Sequence, residues 1–90
     1  MQTATHPMKL AQYVKFREEK FGGVLFETRS EKVYTLNPTA TAVVREIQAG
    51  SAERDIPGRL KERFSDAGGT IEREAAAFIA ELRLKGLVED

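Results

Sequence analysis

The sequence holds no cysteine, no tryptophan and one histidine, His6. Without thiols there is no disulfide framework, no thiolate zinc site, no iron–sulfur cluster and no thiol nucleophile. One imidazole cannot build a histidine metal cluster, and no cofactor is expected. Long apolar runs are missing as well. The longest, residues 24–26 and 75–80, fall far short of the ~20 residues of a membrane span. The opening stretch Met1-Gln2-Thr3-Ala4-Thr5-His6-Pro7 has no basic region leading into apolar residues, so it does not read as a secretory signal. Neither sign of charge is in excess: 14 basic groups face 14 acidic ones. That balance gives no electrostatic case for a nucleic-acid partner. What is present is a chain of 90 residues, enough for one small domain that buries roughly 60–65% of its unfolded surface. A core of that size leaves little room for a deep substrate cavity. A cytoplasmic single domain with a non-catalytic role is the expectation.

Candidate catalytic groups have simpler explanations. His6 falls in a terminal stretch, where a lone imidazole is usually solvated. Glu18-Glu19 and Glu72/Glu74 suit turn solubility and the positive end of a helix dipole better than an acid/base pair. Tyr13 and Tyr34 fit sheet packing. Gly22-Gly23 and Gly68-Gly69 lack the rest of a phosphate-binding loop. No catalytic residue is assigned.

The chain changes period near residue 37. Before it, β-branched and aromatic residues come in short runs; after it, Ala, Glu, Arg and Leu recur at helical spacing. Strands followed by helices mark an α+β fold. Residues 1–12 carry Pro7 and few apolar groups, and are expected as a loose arm; residues 13–88 then form the single domain. Three strands are expected, over 13–17, 24–28 and 32–36, with Gly22-Gly23 as the first turn and Arg29-Ser30-Glu31 as the second. The short links imply an antiparallel meander with the third strand at an edge. Three helices follow. Asn37-Pro38 starts the first and Gly50 ends it. Ser51 caps the second, which carries Ile56, Leu60 and Phe64, and which Pro57 kinks or delays. Ala67-Gly68-Gly69 is a flexible link. Thr70 caps the last helix and Gly86 ends it.

Two features stand out. At about 100° per residue, Ile71, Ala75, Phe78, Ile79 and Leu82 form an ordinary core stripe on the last helix. Ala77, Ala80 and Leu84 fall nearly opposite, with Ala76 at their margin and Arg73 among them. These residues are either good helix formers with Leu84 tucked under the chain end, or a shallow groove of small residues open to another chain; periodicity alone favours the former. The edge strand is guarded only by Lys32, whereas natural edges are usually blunted by charge, proline or a cover. An extended peptide can pair with such a strand.

Gly22-Gly23-Val24-Leu25-Phe26-Glu27-Thr28, followed by Lys32-Val33-Tyr34-Thr35-Leu36-Asn37-Pro38-Thr39-Ala40, resembles the hallmark stretch of the coenzyme PQQ synthesis protein D (PqqD) family. Residues 78–88, from Phe78 through Leu82 and Gly86 to Val88, resemble that family's closing helix. The resemblance implies a winged-helix-like domain of three strands and three helices. It implies a recognition element for ribosomally synthesised, post-translationally modified peptides. The leader segment of a precursor peptide would add as a fourth strand against the third, beside the last helix. The peptide-binding positions it implies are Lys32, Val33, Tyr34, Thr35 and Leu36 on the edge, and Arg73, Ala76, Ala77, Ala80 and Leu84 on the helix. The partner enzyme it implies is a radical SAM protein. Arg29-Ser30-Glu31 stands where members of the PQQ pathway carry a Pro-Glu-Gly-like connection, which resembles the broader group serving other peptides. With the resemblance included, the groove reading leads.

Two other readings remain. A winged-helix shape also suits DNA binding, but residues 70–86 pair Glu72, Glu74 and Glu81 with Arg73, Arg83 and Lys85, and give no basic face. A structural homodimer through the open edge looks the same in sequence as a peptide-binding edge.

Overall fold

The computed structural model describes residues 8–64 and 69–89. Its central layer is a three-stranded antiparallel sheet of β2 (Val14–Glu19), β3 (Gly22–Glu27) and β4 (Lys32–Leu36), in that spatial order. Helices α1 (Pro38–Gln48), α2 (Ile56–Arg63) and α3 (Thr70–Leu84) follow. This is the expected α+β, winged-helix-like arrangement. Val14 and Leu25 of the sheet meet Val43, Val44 and Ile47 of α1, Ile56 and Leu60 of α2, and Ala75, Ile79 and Leu82 of α3 in one buried cluster. No helix among the described residues is long and apolar enough to cross a membrane.

Register sets which side chains reach that core. Pairing of Leu25 with Phe16 and Tyr34 puts these three on the inner face, and pairing of Phe26 with Lys15 and Val33 puts those three outside. Leu25 is accordingly buried, while Val33 is 61% exposed.

The helix punctuation is local chemistry. The side chain of Asn37 accepts a 2.8 Å hydrogen bond from the Ala40 amide, and Pro38 follows at the first helical position. Gly50 and Gly86 both take a left-handed conformation, at φ 88° and 71°. At each, a Schellman bond closes the helix: Ser51 N–H donates to the Glu46 carbonyl at 3.1 Å, and Leu87 N–H to the Leu82 carbonyl at 2.9 Å. Leu82 and Leu87 are both buried, which adds the apolar contact of that motif.

Three local expectations change. Gly22-Gly23 is not the turn but the start of β3. A Cβ on Gly22 would lie 2.2 Å from the Leu36 carbonyl oxygen, so glycine is there for close approach to the end of β4. Ser51 does not cap α2. Its hydroxyl donates a 2.6 Å bond back to Glu46, and a short 3-10 turn over Glu53–Asp55 precedes α2, which starts late, with Pro57 in its first positions. Thr70 is the first residue of α3 rather than its cap; Gly69 holds that position without a side-chain bond. Within the expected link, Ala67 and Gly68 lie outside the described residues.

Part of the segment expected as a loose arm is ordered in the fold. Residues 8–12 belong to the fold, and residues 1–7 lie outside the described ones. β1 (Lys9–Leu10) pairs antiparallel with β5 (Val88–Glu89), Met8 is 2% exposed, and the Tyr13 hydroxyl donates a 2.6 Å bond to the Gly86 carbonyl. Two-residue strands give no periodic signal, which is why the pairing is silent in the sequence.

Candidate functional site

Among the described residues, β4 pairs only with β3. Its outer edge therefore presents unpaired backbone groups. β1 pairs with β5 and not with β4.

Beside this edge runs a cleft between β4 and α3. One part, about 100 Å³, is lined by Leu25, Tyr34, Thr35, Leu36, Phe78, Glu81, Leu82, Lys85 and Leu87. A wider part, about 480 Å³, is lined by Asn37, Thr39, Ala40, Glu74, Ala77, Phe78 and Glu81. Phe78 and Glu81 belong to both, so the two parts adjoin. The floor is apolar, from Leu25, Leu36, Leu82 and Leu87. The helix wall is Glu74, Ala77, Phe78, Glu81 and Lys85, which recur at i, i+3, i+4, i+7 and i+11 and so share one face of α3.

The positions expected from the sequence divide accordingly. Tyr34, Thr35, Leu36 and Ala77 line the cleft. Lys32 and Val33 continue the edge, with Lys32 exposed on the inner face and Val33 on the outer. Ala80 and Leu84 line neither part; both are exposed, Leu84 at 86%. With Arg73 they form the next stripe of α3, on the solvent side of Ala77. Arg73 is exposed and its guanidinium lies near Gly69. Ala76 is exposed and turned further from β4.

Four wall residues were not among the expected positions: Glu74, Phe78, Glu81 and Lys85. Phe78 was assigned to the core stripe. It is half-buried and packs on the core while also facing the cleft. The helical wheel places Glu74, Glu81 and Lys85 beside Ala77; being charged, these three fall outside any apolar stripe.

The charges are ordered along the cleft. Glu74 lies at the end next to Asn37 and Thr39. Lys85 lies at the Tyr34 end, its Nζ 5.8 Å from the ring centroid. Among the described residues, neither Glu74, Glu81 nor Lys85 has an ion-pair partner. By contrast Glu46, away from the cleft, accepts bonds from the Ser51 hydroxyl and the Arg59 guanidinium, and the first of these leads in holding its carboxyl below the usual range.

An α+β domain with an open sheet edge and an adjoining apolar cleft is thus defined. The family model of coenzyme PQQ synthesis protein D (PqqD) matches residues 22–88, and the chain belongs to that family. Two solved structures are similar to it. A lasso peptide synthetase B1 complexed with the leader peptide has a TM-score of 0.77 at 25% identity, covering 93% of this chain and 99% of that one. TbiB1 in complex with the TbiA(beta) leader peptide has a TM-score of 0.76 at 20% identity, covering 90% and 94%. The second likeness speaks for the fold alone. No curated protein matches the sequence.

Proposed function

We propose that this domain captures the leader segment of a ribosomally synthesised precursor peptide by strand addition to β4, and presents the peptide to a modifying enzyme of the radical SAM type. The observation that carries the reading is the open edge of β4 lying directly beside a cleft with an apolar floor. Family membership supports it, as does the likeness to a lasso peptide synthetase B1 complexed with the leader peptide. Backbone pairing along Val33–Leu36 supplies orientation. Leader side chains on the inner face enter between Tyr34, Leu36, Ala77 and Phe78; Ala80 and Leu84 form the outer rim. The domain acts as a tether rather than a catalyst. Holding the leader raises the effective concentration of the attached core peptide at the enzyme to the millimolar range for a short tether.

The test is an NMR titration with a synthetic leader peptide encoded beside this gene. Amide shifts concentrated at residues 32–37 and 74–85 are expected. Thr35→Pro removes a backbone donor from the edge strand and is expected to weaken binding at least tenfold. Shifts confined to the outer sheet face or to α2 would overturn the reading.

A further inference from the structure

The order of charges in the cleft restricts which extended segment fits it. β4 runs from Lys32 towards Leu36, while α3 lies against it in the opposite sense. Its earlier residues Glu74 and Ala77 sit by Asn37 and Thr39, and its last turn, with Lys85, sits by Tyr34. Glu74 makes the Leu36 end of the cleft acidic, and Glu81 stands where the two parts adjoin. The Tyr34 end is basic, from Lys85, with Lys32 beyond it on the same sheet face. All these side chains except Lys85 over Tyr34 lack a charge or ring partner among the described residues. Exposed to solvent, they can pair with the side chains of a guest segment.

Spacing follows from the two element geometries. At 1.5 Å per helical residue, Lys85 lies about 16 Å along α3 from Glu74 and about 6 Å from Glu81. An extended guest places same-face side chains about 6.6 Å apart at i, i+2 and about 13 Å apart at i, i+4. A basic residue midway between the two carboxylates would lie about 11 Å along α3 from an acidic one at Lys85, nearest to the i, i+4 spacing. Position i+2 then lies over Tyr34, Leu36 and Phe78, where the lining is apolar. The sheet is antiparallel throughout, and a guest that continues that pattern runs from the Leu36 end to the Lys32 end.

We infer that the cleft selects a peptide segment of the form basic–x–apolar–x–acidic, read from N- to C-terminus, bound antiparallel to β4. This rests on the strand-addition reading above and specifies the ligand class for the same cleft. Exposed charge pairs are worth little each. Two of them, replaced by two repulsions in the reversed order, give roughly a tenfold preference.

Selection from a displayed library of random 12-residue peptides tests it, run in parallel on the unaltered chain and on Glu74→Lys/Glu81→Lys/Lys85→Glu. All three side chains are exposed, and circular dichroism checks that the variant folds; Glu74→Gln/Glu81→Gln replaces it otherwise. The unaltered chain is expected to enrich the stated order, with the enriched peptides shifting the amides of residues 32–37. The charge-reversed variant is expected to enrich acidic–x–apolar–x–basic, and the glutamine variant to lose the basic preference. Enriched peptides that map to the cleft but carry no charge order, or the same order in both selections, overturn this inference and leave strand addition standing. Enriched peptides that map away from β4 overturn both.

Discussion

At the residue scale, positions of little apparent note in the sequence carry testable energetics. Thr41 is 6% exposed in α1, and its hydroxyl has no hydrogen-bond partner among the described residues. A buried polar group without a partner is destabilising. Thr41→Val keeps the shape and is expected to stabilise by about 1 kcal/mol, or about 4–8 °C in Tm by thermal unfolding. Glu46 links three segments: its own helix α1, Ser51 in the connection, and Arg59 on α2. Its carboxyl is held low first by the Ser51 hydroxyl, then, against the opposing effect of burial, by Arg59. Because the folded value lies below the unfolded one, the unfolded chain binds the proton more readily. This contribution is fully present above the ordinary carboxylate range and is lost as pH falls through the lowered folded value. Urea unfolding from pH 7 to pH 3 is expected to show an acid limb that is shallower in Ser51→Ala. Glu46 and Asn37 illustrate what a sequence does and does not disclose. The Asn37-Pro38 cap is legible because its partner is three residues away. The Ser51–Glu46 bond competes with an equally local capping role, and only the tertiary position of Arg59 decides between them.

At the element scale, β3, β4 and α3 make the proposed site together. Strand boundaries from alternation hold for β4, whose Lys32–Leu36 span is as expected. They shift for β3, because its two glycines look like a turn while serving close approach. Gly22 takes φ 147°, and its missing Cβ would collide with the Leu36 carbonyl. Gly22→Ala is expected to cost about 3 kcal/mol and to loosen β4, the strand proposed to pair with the leader; chemical denaturation and amide exchange read both effects. On α3 the periodicity gives a second stripe, Ala77, Ala80 and Leu84; in the structure Ala77 lines the cleft and Ala80 and Leu84 lie on its solvent side. The wheel gives directions around the helix and not which direction faces β4; that is fixed by Ala75, Ile79 and Leu82 turning into the core. Ala77→Trp fills the wide part of the cleft from an exposed position and is expected to weaken leader binding at least tenfold. Leu84→Asp, on the rim, is expected to change it less than threefold. Isothermal titration separates the two, and equal losses would move the site outward to the rim.

At the scale of the whole molecule, residues near the two ends of the described chain pair with each other rather than with β4. β1 pairs with β5, Ala11 N–H donates to the Leu87 carbonyl at 2.9 Å, and Tyr13 reaches Gly86. The same strap fixes the end of α3, and with it the position of Lys85 at the cleft. A domain of this size has little stability to spare, so a strap that closes the core around Met8 and Leu87 without covering β4 keeps the edge available. The expectation of a loose arm over residues 1–12 missed this pairing, since short terminal strands are specified by contacts between chain ends and not by any local pattern.

Strand addition itself is tested most directly by cross-strand nuclear Overhauser effects between an isotope-labelled domain and an unlabelled leader peptide. The account predicts Hα–Hα and Hα–HN contacts from the peptide to residues 33–36, in antiparallel register, with new exchange protection for the outward amides of β4. A peptide that binds with comparable affinity yet leaves those amides unprotected, and touches the outer face at Lys15 and Phe26 instead, would contradict it.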